Sequence, residues 1–173
     1  MVLLLSGLLL TGCSGSRTDS AEPLPARPGC APTEPGDSYQ NTEVQFPLRA
    51  DLPDLAGVSR RIEITGYVLD ADCSPVESAL VKFWASRENG EYTQDSYGSV
   101  LSAADGSYRV TLPAPIAYAG RPAHVHLETT IGNQAVFTEI FTTEDADAYV
   151  VEFVPPAVEP PPSTTPGPTN PMP

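Results

Sequence analysis

The chain has 173 residues, 20 of them proline, and carries 22 acidic against nine basic side chains, a formal net charge of −13 at pH 7. This charge argues against a nucleic-acid partner and against binding of the protein surface to anionic membranes, because both carry negative charge themselves. Only two histidines and three cysteines are present, so each of them is considered individually.

The first 13 residues, MVLLLSGLLLTGC, have the pattern of a lipoprotein signal peptide. The apolar run from Val2 to Leu10 is too short to span a bilayer, which needs about 20 apolar residues, but it has the length of a signal-peptide core. The tetrapeptide that ends at Cys13 resembles a bacterial lipobox, in which the cysteine is lipidated and becomes the new N-terminus. We therefore expect a protein held at the outer face of the bacterial cell envelope by a lipid on Cys13, with no other membrane contact.

Proline marks the limits of the part that folds. Residues 14–29 have the composition of a flexible linker, and residues 155–173 form a tail with nine of the 20 prolines. Neither composition supplies the apolar side chains of a core, so we predict both to be disordered. Residues 30–154 are long enough for one domain. Outside the cell, the two cysteines that remain, Cys30 and Cys73, would be able to form a disulfide within it.

Apolar and polar residues alternate within this domain, the pattern of strands with one buried face. Turn residues such as Asp-Gly and Asn-Gly separate the alternating stretches. Six strands are predicted: RIEITGYV (61–68), SALVKFWAS (78–86), SYRVTL (107–112), AHVHLETTI (123–131), QAVFTEIFT (134–142) and AYVVEFV (148–154). Because helical periodicity is missing from the sequence, we predict an all-β domain with the architecture of an antiparallel β-sandwich.

Both histidines lie in the stretch YAGRPAHVH, at positions 124 and 126. Side chains two residues apart on a strand point to the same face, about 7 Å apart along the strand. Two imidazoles on one face are able to hold a transition metal, although an isolated His-x-His pair is more often an ordinary polar stretch of strand. Tyrosine is the other potential ligand nearby, because a ferric ion displaces the phenol proton despite a free pKa near 10.

The motifs GYVLDADCSPVESALVKFWASRENGEY, ADGSY and YAGRPAHVH together resemble the intradiol ring-cleavage dioxygenases, and most of all their secreted branch. The resemblance covers roughly residues 30–145 and implies a prealbumin-like sandwich that contains non-haem Fe(III). Such enzymes use O2 to open a small aromatic diol between its two hydroxyl-bearing carbons, which yields a cis,cis-muconate-type product. Carried over by position, the implied iron ligands are Tyr92, Tyr118, His124 and His126.

The same resemblance implies roles for further residues. Tyr118 would leave the iron and accept a catechol proton, and Arg121 would stabilise negative charge on the substrate. A glutamine of those enzymes aligns with Glu139, which is therefore a candidate neighbour of the iron that could alter its charge or its ligand set. Tyr97 is an alternative ligand to Tyr92 if the register differs.

Two functions remain open from the sequence. The first is a surface-anchored ferric intradiol dioxygenase, although the short chain after residue 141 predicts a smaller substrate pocket. The second is a non-catalytic lipoprotein module of the transthyretin-like or carboxypeptidase-regulatory-like kind, because patterns such as G-x-V-x-D and D-G-x-Y also occur in inert sandwiches. In either case Trp84 and Tyr108 are predicted to be packing residues.

Overall fold

The structure, a computed structural model, describes residues 29–36, 44–85 and 90–157. The predicted signal peptide with Cys13, the linker up to residue 28 and the tail from residue 158 lie outside these ranges. The domain limits and the lipid anchor therefore stay predictions. Among the described residues, no helix has the length and the apolar character needed to cross a membrane.

In the described part of the chain, seven strands form two sheets that pack against each other around one core. They are β1 (Arg61–Val68), β2 (Leu80–Ala85), β3 (Tyr97–Leu101), β4 (Ser107–Pro113), β5 (His124–Ile131), β6 (Gln134–Phe141) and β7 (Ala148–Phe153). One short 3-10 turn, Gln94–Ser96, precedes β3. The prediction of an all-β sandwich is thus confirmed.

The two sheets differ in size and in strand direction. One has three strands in the order β4-β1-β7, and the other has four in the order β3-β2-β5-β6. All neighbours are antiparallel except β1 and β7, which run parallel with Gly66 opposite Val151. A Cβ atom at position 66 would lie 1.7 Å from the carbonyl oxygen of Val151, so only glycine permits this close approach. The alternation of side chains does not reveal this parallel pair, because alternation is the same for both strand directions.

Strand β5 shows how the sandwich separates its core from its outer surface. Val125, Leu127 and Ile131 point inwards and belong to the core shared by both sheets. Because side chains alternate along a strand, His124 and His126 point to the opposite face of the four-stranded sheet. We call this surface the outer face.

Two structured regions escaped the sequence-based prediction. Strand β3 is short and contains Gly98, so it shows too little apolar alternation to stand out. The chain before β1 adds hydrogen bonds to the edges of both sheets, from Arg49 N to Ser99 O and from Leu52 N to Thr111 O, each 2.9 Å. It therefore closes the sandwich along the β3 and β4 edges.

A disulfide joins Cys30 to Cys73, with their Cα atoms 5.8 Å apart. The arm that contains Cys30 is also bound to the end of β7, because the amide of Thr33 donates to the Val154 carbonyl at 3.0 Å. Since Cys73 lies in the turn after β1, the disulfide fastens the arm to the three-stranded sheet.

Candidate metal centre

A continuous row of side chains crosses all four strands of the outer face. Tyr97 of β3 is paired with Trp84 of β2, and Trp84 is paired with His126 of β5. His126 is in turn paired with Glu139 of β6. Side chains at paired positions lie on the same face about 5 Å apart, so the register alone brings an indole, an imidazole and a carboxylate together.

The two histidines are fully buried, with exposures of 0% for His124 and 1% for His126. Their ring centroids are 4.8 Å apart and their planes are nearly perpendicular, at 84°. Nδ1 of His124 lies 2.7 Å from the carbonyl oxygen of Pro122 and donates to it, so Nε2 is the nitrogen that remains for another partner. This Nε2 atom and Nδ1 of His126 have no hydrogen-bond partner. A buried polar atom without a partner is costly, and a cation bound at Nε2 of His124 would remove that cost.

Burial, together with the nearby His124 and Arg121, lowers the pKa of His126 to about 4. The ring is therefore neutral at pH 7, the form in which imidazole binds metals. It stacks on Trp84 with ring centroids 5.1 Å apart and planes at 22°, and it also packs against Phe137 at 5.8 Å. These two aromatic rings hold the orientation of the imidazole.

Two tyrosines complete the cluster. The hydroxyl of Tyr92 lies 3.3 Å from Nε2 of His126, and the ring of Tyr118 lies 5.8 Å from that of His124, centroid to centroid. Burial raises the pKa of Tyr92, and a hydrogen bond to the side chain of Tyr118 raises it further. In the absence of a cation, Tyr92 is therefore a neutral phenol, and a strong Lewis acid is needed to turn it into a phenolate.

Tyr97, the alternative ligand, has a different environment. It is a buried strand residue, and its ring packs edge-on against Phe46 at 5.3 Å. Its ring centroid is 6.1 Å from that of Tyr92. Because the hydroxyl at 3.3 Å from the His126 nitrogen is that of Tyr92, the geometry favours Tyr92 for the ligand position.

Two tight backbone features bring the tyrosines to the histidines. Gly90 has a φ of 75°, and a Cβ atom there would lie 2.4 Å from the ring of Tyr118, so glycine is required twice over. Tyr118 and Arg121 exchange backbone hydrogen bonds of 3.1 and 2.7 Å across a two-residue turn. Both central residues, Ala119 and Gly120, have positive φ, as in a type I′ turn. The Gly-x-Tyr and Tyr-x-x-Arg spacings of the sequence thus correspond to steric requirements.

Glu139 connects the histidines to the arginine. Its Oε1 atom accepts a hydrogen bond from Nη2 of Arg121 at 2.9 Å and lies 3.3 Å from Nε2 of His124. The side chain is 6% exposed, against 43% for that of Arg121. His124, His126 and Glu139 offer ligand atoms that all lie within 4.8 Å of one another, a group that could hold a metal ion.

The sequence-based predictions missed the aromatic residues that enclose this cluster. Trp84 is buried as predicted, but it belongs to the outer face and not to the core between the sheets. Phe46, from the chain before β1, packs on Trp84 at 5.4 Å. The position of Trp84 was detectable, since its strand neighbours Phe83 and Ala85 face inwards. Phe46 left no such signal. Tyr108 is a packing residue, as predicted, because it is buried in the core.

The chain is similar to known proteins in sequence and in fold. No family profile matches the sequence. The chain is 29% identical to chlorocatechol 1,2-dioxygenase from Rhodococcus opacus, in a match that covers 58% of this chain and 48% of that protein. The chain therefore spans about half the length of this curated relative.

Solved structures with a similar fold include the dioxygenase domain of a dioxygenase–carbohydrate-binding protein fusion from Streptomyces sp. SirexAA-E. The TM-score is 0.61 at 20% identity, and the match covers 72% of this chain and 97% of that one. An intradiol ring-cleavage dioxygenase from Tetranychus urticae is similar with a TM-score of 0.57 at 19% identity, over 67% of each chain. These structures establish the shared fold. Together with the sequence match, they confirm the resemblance to the intradiol ring-cleavage dioxygenases.

Proposed function

We propose that this domain is a non-haem Fe(III) enzyme that uses O2 to cleave a catechol-type aromatic between its two hydroxyl-bearing carbons, giving a cis,cis-muconate-type product. One observation carries the proposal: two buried imidazoles with unpartnered nitrogen atoms meet two phenols on one face of a sheet. A non-catalytic sandwich module has no need for such costly groups, so the observation favours an enzyme over a binding module.

Tyr92, Tyr118, His124 and His126 would hold the iron. Two phenolates suit a ferric ion because hard anionic oxygen donors offset its charge, and imidazoles complete the set. The orientation of His124 supports this assignment, since Nδ1 donates a hydrogen bond to the Pro122 carbonyl and Nε2 remains available to bind the metal. Bound ferric iron would supply the Lewis acidity that removes the phenol protons and makes a chelated catechol reactive towards O2.

The phenols would handle the protons of the substrate. A catechol that bound through both oxygens would release two protons. We assign the acceptance of one to the phenolate oxygen of Tyr118, which would become a phenol, and of the other to a hydroxide ion that the substrate displaces. The position of Tyr118 supports this role, because its ring lies 5.8 Å from that of the proposed ligand His124, centroid to centroid. Arg121 would place a positive charge at the rim, shared between Glu139 and the negative charge that develops on the substrate.

We also propose that the enzyme acts at the outer face of the cell envelope, anchored by a lipid on Cys13. The disulfide between Cys30 and Cys73 supports such a location, because disulfides persist in oxidising compartments. Expression in a bacterium fed with a labelled fatty acid should label the wild-type protein and leave Cys13→Ser unlabelled. Equal labelling of the two proteins would refute the anchor.

Colour provides the first test of the iron site. A phenolate bound to ferric iron has a visible charge-transfer band, so the iron-loaded protein should be coloured and hold one iron per chain. Tyr92→Phe should lose or displace this band, whereas Tyr97→Phe, the matched control on the same face, should retain it. A colourless protein that binds no iron would disprove the iron site.

Oxygen uptake tests the reaction itself. Iron-loaded protein should consume O2 with catechol, hydroxyquinol or protocatechuate and release a ring-opened diacid. The expected loss in Tyr118→Phe is about 10²–10⁴-fold in turnover, the usual contribution of a positioned proton acceptor. Coloured protein that takes up no O2 with any of the three diols would identify a metal-binding domain without ring cleavage.

A further inference from the structure

The side chains of His124 and Glu139 approach each other closely without forming a hydrogen bond. Nε2 of His124 and Oε1 of Glu139 are 3.3 Å apart, yet Nε2 has no hydrogen-bond partner. Since Nδ1 of His124 donates to the carbonyl of Pro122, the ring nitrogen that faces the carboxyl oxygen is Nε2. A cation bound by both atoms would give this buried nitrogen the partner that it lacks.

Arg121 holds the carboxyl group of Glu139 in place. Its Nη2 atom donates a hydrogen bond of 2.9 Å to the same Oε1 atom. Moreover, the side chain of Glu139 is almost completely buried. A buried carboxyl oxygen beside an unpartnered imidazole nitrogen is a ready donor for a metal ion.

The register of the sheet fixes the position of Glu139 beside the two histidines. Glu139 is the cross-strand partner of His126, and His124 lies two residues earlier on the same face. From the neighbouring arm, a Cβ atom on Gly36 would approach the backbone nitrogen of Glu139 to 2.7 Å, so the arm packs closely against this part of β6. The carboxylate is thus fixed by backbone pairing on one side and by the arm on the other.

We propose that Glu139 is itself a metal ligand, so that the site offers five protein donors: two imidazoles, two phenols and one carboxylate. The resembled enzymes carry a glutamine at the aligned position, so a fifth, anionic donor distinguishes this chain from them. Two phenolates and one carboxylate bring three negative charges, which match the charge of a ferric ion. Arg121 is then a positioning residue that orients Glu139 through Oε1. The inference rests on the proposed function for the ferric ion and for the other four ligands.

The experiment compares three variants of the iron-loaded protein by absorption spectroscopy and by competition with a chelator. In Glu139→Gln, a neutral amide replaces an anionic donor, so the ferric ion becomes more electron-poor. The tyrosinate charge-transfer band should therefore move to longer wavelength, and iron affinity should fall at least tenfold. In Arg121→Met the carboxylate loses its competing cation and donates more strongly, so the band should move to shorter wavelength.

Glu128→Gln is the matched control. Glu128 lies on the same face of β5 and pairs with Lys82 at 3.0 Å, so this variant removes a carboxylate of equal size from the neighbouring row. Its band and iron affinity should equal those of the wild type. Thermal unfolding of the metal-free proteins should show that all three variants are folded.

The outcomes separate this inference from the proposed function. An unchanged band and affinity in Glu139→Gln would overturn the inference, even if the wild type cleaves catechols. Shifts of the same sign in Glu139→Gln and Arg121→Met that do not add in the double variant would overturn it too, because Glu139 would then act only through Arg121. A Glu139-dependent band in a protein without ring cleavage would support the inference while the proposed function fails. A wild type that binds no iron would overturn both.

Discussion

The two faces of the four-stranded sheet are formed by the same strands, but one buries apolar side chains and the other buries polar ones. On the inner face, Val125 and Leu127 are fully buried among apolar residues of both sheets and have no polar group to satisfy. On the outer face, His124 and His126 are buried to the same degree, yet each retains a nitrogen atom without a hydrogen-bond partner.

Burial therefore stabilises the fold on the inner face, whereas on the outer face it encloses the polar side chains of the site. The inner face gains free energy from every side chain that it removes from water, about 1.5–3 kcal/mol for a leucine or valine. The outer face gives up part of that gain, because it buries two imidazoles that each retain one nitrogen atom without a partner. Substitutions at Val125 or Leu127 should therefore change the stability of the fold, whereas substitutions at His124 or His126 should change the site.

The largest effect is expected on the inner face. Leu127→Ala removes a fully buried side chain and leaves a cavity between the sheets, so the free energy of unfolding should fall by about 2–5 kcal/mol. Denaturant unfolding of the metal-free protein measures this loss. Because Leu127 points away from the site, the charge-transfer band of the folded, iron-loaded variant should stay unchanged. A shifted band would show that the two faces are not separable.

The outer face should respond to pH. The pKa of His126 is about 4 in the folded protein, below its value of about 6.5 in an unfolded chain, so between these values the unfolded state binds a proton that the folded state does not. The metal-free protein should therefore be fully stable above pH 6.5 and lose stability as the pH falls towards 4. Each pKa unit of difference corresponds to about 1.4 kcal/mol, so we expect a loss of about 2–3 kcal/mol by pH 4.

His126→Leu is the control for this pH dependence. The leucine fills a similar volume between Trp84 and Phe137 and does not titrate. The variant should be about as stable as the wild type at pH 7, or more stable, and its stability should vary less between pH 6.5 and 4. An equally steep loss in the variant would assign the pH dependence to other groups. The His126→Leu variant should also fail to bind iron. Loss of iron binding without loss of stability would show that His126 lowers the stability of the metal-free protein.

Alternation explains why much of the site was predictable from the sequence. The His-x-His spacing placed both imidazoles on one face of β5, and the structure has them there. What alternation does not contain is the neighbour of each strand. The row from Trp84 through His126 to Glu139 depends on the strand order β2-β5-β6, which long-range packing decides. For the same reason the contact between Glu139 and His124 was not foreseeable, although Glu139 stood out as a departure from the aligned glutamine.

The smallest effect is expected at Gly90, which packs against the ring of Tyr118. A substitution there tests whether backbone strain and the geometry of the site can be changed separately. Gly90→Ala places a side chain at a φ of 75°, which should cost about 1 kcal/mol of stability. The new Cβ atom would also lie 2.4 Å from ring atoms of Tyr118, so either the ring or the turn must move. We expect a weakened or shifted charge-transfer band in the iron-loaded variant, in addition to the loss of stability.

Gly132→Ala is the matched control, because it separates the two consequences of the substitution. Gly132 lies in the hairpin between β5 and β6 with a φ of 59°, and a Cβ atom there would meet nothing within 4 Å. The same backbone penalty of about 1 kcal/mol should therefore appear without any change in the band. If both glycine variants kept the wild-type band, the contact between Gly90 and Tyr118 would have no part in building the outer-face site. A shift in Gly90→Ala alone would establish that the Gly-x-Tyr spacing positions a tyrosine that the strands themselves do not hold.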